Sequence, residues 1–86
     1  MRAIVDIMRD LENDGIQEDR LAELINELTE KGMSVSFYYV QHEEGHVTWM
    51  STIEDGSDLT YFGDGKTAAK AIASALSDWY NEYDTQ

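Results

Sequence analysis

Between residues 33 and 62 the chain alternates hydrophobic and polar positions with a period of two. From Met33 to Gln41, Val35, Phe37 and Tyr39 fall on one side and Ser36, Tyr38 and Val40 on the other. From His46 to Ile53, Val47, Trp49 and Ile53 oppose Thr48, Met50 and Thr52, and from Leu59 to Phe62, Leu59 and Tyr61 oppose Thr60 and Phe62. Such alternation, rich in β-branched and aromatic residues, predicts three half-buried strands. Glu43-Glu44-Gly45 and Glu54-Asp55-Gly56-Ser57 supply tight turns, so the strands form an antiparallel meander. Three short strands are not stable unaided, and helices must cover them.

The flanks carry a helical period instead. Met1, Ile4, Val5, Met8 and Leu11 predict a helix over 2–13, stopped at Asn13-Asp14-Gly15, with Ile16 making the apolar contact just beyond the stop. A second helix opens at Gln17 or Glu18 and runs to about Lys31, with Leu21, Leu24, Ile25 and Leu28 as its buried stripe and Gly32-Met33 as its end. After Gly63-Asp64-Gly65, capped by Asp64 or Thr67, a third helix presents Ala68, Ala69, Ile72, Leu76, Trp79, Tyr80 and Tyr83 on one face. The expected fold is therefore one α+β domain over 1–86, in the order ααβββα, with the meander held between the last helix and the N-terminal ones. Residues 1–16 are expected to cover the face carrying Tyr38, Val40, Met50 and Phe62, which would otherwise be an exposed patch. Trp49, Phe37, Leu24, Ile72 and Leu76 are expected to be buried together.

Net charge bears on function more directly than length does. Eighteen acidic residues against six basic ones give a net charge of −12 on 86 residues. A small domain needs a magnitude of only about 2–8 for solubility, and the excess adds self-repulsion to the folded state. It argues against direct binding to nucleic acid or to an anionic membrane, and favours either a basic protein partner or a salt-loving host. There is no cysteine, hence no disulfide and no thiolate site. Met1-Arg2-Ala3-Ile4-Val5-Asp6 turns acidic too early for a signal peptide, and no apolar run approaches membrane-spanning length. The expected compartment is the cytoplasm.

Motifs that suggest chemistry do not sit where that chemistry needs them. His42-Glu43-Glu44-Gly45-His46 matches the zinc-protease pattern, but that pattern requires both imidazoles on one helix face, and here the residues link two strands. Gly65-Lys66-Thr67 resembles the end of a phosphate-binding loop, yet Thr60 stands where the first glycine belongs. Asp55-Gly56-Ser57-Asp58 lacks calcium-loop spacing and reads as a turn. The sequence thus predicts no enzyme, no cofactor and no metal.

Two resemblances accompany these readings. The α-β-β-β-α order over 18–83, with Gly63-Asp64-Gly65-Lys66-Thr67-Ala68-Ala69-Lys70-Ala71-Ile72-Ala73, resembles the double-stranded-RNA-binding domain. In that family lysines at the last helix start reach the duplex phosphates. Only Lys66 and Lys70 stand here, and Glu23, Glu27 and Glu30 on the preceding helix would repel a duplex. Leu28-Thr29-Glu30-Lys31-Gly32 and Thr67-Ala68-Ala69-Lys70-Ala71-Ile72, with Trp79 in the final turns, resemble small bacteriophage proteins built as a helix–sheet–helix sandwich. Acidic phage proteins of this size include anti-CRISPR inhibitors and other DNA mimics. That resemblance implies an inhibitor of a nuclease or CRISPR-effector-like protein.

The candidate partner-binding residues are two acidic stripes. Asp6, Asp10 and Asp14 recur every four residues on the first helix; Glu23, Glu27 and Glu30 follow i, i+4, i+7 spacing on the second. Carboxylates about 4.5–6 Å apart along a helix axis approximate the repeat of a phosphate backbone. The expected function is a non-enzymatic acidic inhibitor or adaptor on a basic, nucleic-acid-handling protein. The alternative is a structural or homo-oligomeric module pairing through its sheet edge or apolar face.

Overall fold

The computed structural model describes residues 3–13, 15–57 and 59–84. The elements follow the order α1 (Ile4–Glu12), α2 (Glu18–Glu30), β1 (Ser34–Gln41), β2 (Val47–Glu54), β3 (Thr60–Gly65) and α3 (Ala68–Asp84). The strands form one antiparallel sheet in the order β1-β2-β3. The α+β class, the element order and the meander are those the alternation predicts.

Local chemistry explains the boundaries. At the end of α2 the Met33 N–H donates to Leu28 O at 3.0 Å and the Gly32 N–H to Thr29 O at 3.0 Å. This Schellman arrangement needs a left-handed residue, and Gly32 supplies it at φ +92°. Met33 then folds into the core. In the β1–β2 turn the Gly45 N–H donates to His42 O and the His42 N–H to His46 O, both at 2.9 Å. Gly45 at φ +98° makes this a three-residue hairpin loop with a glycine bulge. Thr67 is the cap of α3, its Oγ1 accepting from the Lys70 N–H at 3.1 Å. Asp64 is not the cap, because β3 continues through Gly63, Asp64 and Gly65 instead of ending at Phe62.

The layering departs from expectation. All three helices lie on one side of the sheet: α3 crosses β3 and β2, α2 meets β1, and α1 rests on α3 and α2 rather than on the opposite face. The molecule measures 40 × 26 × 18 Å, too thin in its short dimension for helices on both sides of a sheet. Ile7, Leu11, Leu24, Leu28, Met33, Ile53, Ile72 and Leu76 form the core with the alanines of α3. The α1 stripe is Ile4, Ile7, Met8 and Leu11; Val5, placed on it by the sequence reading, is exposed, and Ile7 is fully buried in its stead.

Close contact between α3 and the sheet decides the side. A Cβ on Gly63 would stand 2.3 Å from Ala75 N and 2.4 Å from Ala71 O, so only glycine lets this helix lie so near β3. Ser51, the β2 partner of Gly63, is equally small, and its hydroxyl donates to Ser36 O at 3.0 Å. The helices do not extend over the far end of the β1–β2 hairpin. Phe37 remains 41% exposed and Trp49 half-buried, so neither joins Leu24, Ile72 and Leu76 in the core as expected. Of the expected α3 face, Trp79 packs at the core margin and Tyr80 is exposed; the side chain of Tyr83 lies outside the described residues.

Candidate partner-binding surfaces

The acidic stripes meet around one cation. Arg20, in the first turn of α2, donates through Nη2 to Asp10 Oδ2 at 2.8 Å and through Nη1 to Glu23 Oε2 at 2.9 Å. It thereby ties α1 to α2 and holds one carboxylate of each stripe. Asp6 stands 3.8 Å from Arg9, one turn along α1. Glu27 is half-buried, and Glu30 is exposed near the end of α2. Asp14 lies outside the described residues. Of the six candidate residues, the structure brings Asp10 and Glu23 together and leaves Glu30 open to solvent. Glu12 at the end of α1 and Glu18 and Asp19 at the start of α2 are exposed as well.

Asp55, in a stretch whose sequence has only the composition of a turn, has a structural role. Asp55 accepts from the Ser57 hydroxyl, from the Ser57 N–H at 3.0 Å, and through Oδ2 from Trp79 Nε1–H at 2.8 Å. These bonds, the Ser57 hydroxyl foremost, hold its carboxyl below the ordinary value. The β2–β3 turn is thus fastened to the last turns of α3. Nearby, burial and then the charge of Glu82 push the Tyr61 hydroxyl up.

The histidine motif forms a polar hairpin tip. The rings of His42 and His46 stack with centroids 4.1 Å apart and planes 19° from parallel. His42 Nε2 is 2.9 Å from Thr48 Oγ1, and His46 Nδ1 is 3.5 Å from Glu44. Among the described residues no group of three or more His, Asp or Glu side chains is arranged to hold a metal ion. Nor does any buried side-chain nitrogen or oxygen among them lack a hydrogen-bond partner. Gly65-Lys66-Thr67 is the end of β3 and the capped start of α3.

The uncovered side of the sheet is the largest departure from a closed domain. Phe62 is 64% exposed, Tyr38 56% and Val40 42%, with Met50 half-buried between them. On the helix side, outside the core cluster, Trp49 lies between Phe37 and Tyr39, with ring centroids at 6.2 and 5.4 Å. Both sides of β1 are therefore exposed from Ser36 to Gln41. Alternation along 33–62 revealed these side chains but not which of the two faces the helices would leave bare.

No protein-family model, no curated protein and no solved structure matches this chain. Among the described residues no helix is long and apolar enough to cross a membrane.

Proposed function

We propose that this chain is a non-enzymatic, acidic protein-binding domain that occupies a basic, nucleic-acid-handling surface of another protein, in the manner of phage DNA-mimic and anti-CRISPR inhibitors. The observation that carries the reading is the net charge of −12. Much of it rests on exposed helix faces, where Arg20 is already engaged by Asp10 and Glu23. A cationic groove that ordinarily holds phosphates would attract such a surface over a distance and lose that attraction as salt screens it. Glu23→Gln, Glu27→Gln and Glu30→Gln combined preserve size and helix propensity while removing three charges. With the partner recovered from host extract by the wild-type protein, the triple variant is expected to bind it about tenfold or more weakly. It should also fail to displace DNA or RNA from it. Simultaneous binding of the partner to nucleic acid and to this protein overturns the proposal.

A second reading, a homo-oligomeric interaction module, is favoured by a different observation: the sheet is covered on one side only, and its β1 edge is bare on both faces.

A further inference from the structure

The β1 edge is unusual for a natural protein. Exposed edge strands are normally blunted by charge, proline or a bulge, because their unpaired main-chain groups recruit other strands. β1 has none of these. Ser34-Val35-Ser36-Phe37-Tyr38-Tyr39-Val40-Gln41 contains no charged residue and no proline in a chain carrying 24 charged side chains, 18 acidic and 6 basic. Its register with β2 runs unbroken from Ser34↔Glu54 to Gln41↔Val47. The direction of its free groups follows from the hairpin. The His42 N–H donates to His46 O, which makes 42 and 46 a hydrogen-bonded pair. By antiparallel alternation Val40, Tyr38, Ser36 and Ser34 also direct their main-chain groups toward β2. Val35, Phe37, Tyr39 and Gln41 direct theirs outward, along the open edge.

We propose that β1 pairs antiparallel with β1 of a second copy about a two-fold axis through Tyr38, joining two three-stranded sheets into one. This inference rests on the oligomeric reading and gives it a register. Pairing Tyr38 with Tyr38 of the second copy places Phe37 opposite Tyr39, Val35 opposite Gln41 and Ser36 opposite Val40. Every outward-directed residue of the edge then meets an outward-directed residue, as a two-fold strand pair requires. The Phe37–Trp49–Tyr39 cluster continues across the axis on the helix side, where cross-strand aromatic pairs stabilise a sheet. On the bare side Tyr38, Val40 and Met50 join their counterparts. Charge selects the occupant. A basic partner finds no carboxylate on β1, whereas a second copy meets it with no acid inside the paired strands, although the chain carries a net charge of −12. At the ends of the pair, Glu43 and Glu44 at one hairpin tip come toward the turn after α2, where Glu30 and Lys31 both stand.

Cysteine-free sequence makes the register directly testable. Tyr38→Cys sets two thiols opposite each other in a non-hydrogen-bonded pair, whose close Cα spacing suits a disulfide. Val40→Cys separates the two thiols by about four residues along the strands, roughly 13 Å. Under mild oxidation Tyr38→Cys is expected to cross-link about tenfold faster or more than Val40→Cys. Tyr39→Pro removes one outward N–H without touching the bond ladder to β2, and should leave a folded monomer by circular dichroism and sedimentation. A wild-type chain that sediments as a monomer from about 5 to 500 μM overturns both the register and the oligomeric reading. A wild-type dimer whose two cysteine variants cross-link at equal rates overturns the β1 pairing alone, as does one that persists in folded Tyr39→Pro. If Tyr39→Pro fails to fold, the cysteine pair decides.

Discussion

Asp55 carries more of this fold than its place in a short turn suggests. Its carboxylate orders the β2–β3 turn through Ser57 and takes the indole hydrogen of Trp79, so one side chain joins a hairpin to α3. The same bonds lower its pKa from the ordinary 3.8. A depressed folded-state pKa means that the ionised form stabilises the fold fully above the unfolded value, and that this contribution is lost as pH falls through the folded one. Asp55→Asn should therefore be less stable than wild type at pH 7. The gap should narrow as pH falls below about 4. Urea unfolding midpoints at neutral and acid pH measure both arms, and a gap that stays constant with pH would show that the charge of Asp55 does not matter.

The elements were readable where their causes are local. Gly32 with Met33 ends α2 through bonds within one turn, and Gly45 shapes a hairpin of neighbouring residues; a sequence displays both in a few letters. On α1 the spacing alone does not separate Val5 from Ile7, because short stripes fit more than one angular setting, and the packed core selects Ile7. The side of the sheet was harder to read, since Tyr38, Val40, Met50 and Phe62 look as ready for burial as Val35 and Ile53. The distinguishing signal is small size rather than hydrophobicity: Gly63 and Ser51 lie on the side that α3 approaches, and a glycine so near a helix start has the composition of a loop. The acidic stripes were legible from spacing, but the bond of Arg20 to Asp10, ten residues away on another helix, was not. α3 itself offers the sharpest check on this packing. Leu76 is fully buried among the core side chains, and Leu76→Ala should cost about 2–5 kcal/mol through lost burial and the cavity left behind. An unchanged urea midpoint would mean that α3 packs through a different face.

At the scale of the whole molecule, one quantity separates the two interaction readings. A charge of −12 on a body 40 Å long sets up a field that extends well past its surface at low salt. At about 0.1 M salt the screening length shrinks to roughly 10 Å, so long-range attraction and long-range repulsion both fade. Binding to a cationic groove draws on the attraction and must weaken as salt rises. Association through β1 works against the repulsion of two like-charged bodies while the paired strands themselves carry no charge, so it must tighten over the same range. Between about 50 and 500 mM sodium chloride the dissociation constant for a basic partner should rise by roughly tenfold or more, and that for self-association should fall severalfold. Sedimentation of the protein alone, and of its mixture with the partner, reads the two slopes in the same buffers. Self-association that weakens with salt would place opposite charges in the interface and exclude an uncharged β1 pair. Partner binding indifferent to salt would remove the acidic stripes from the interface and leave the bare aromatic side of the sheet as the surface to mutate next.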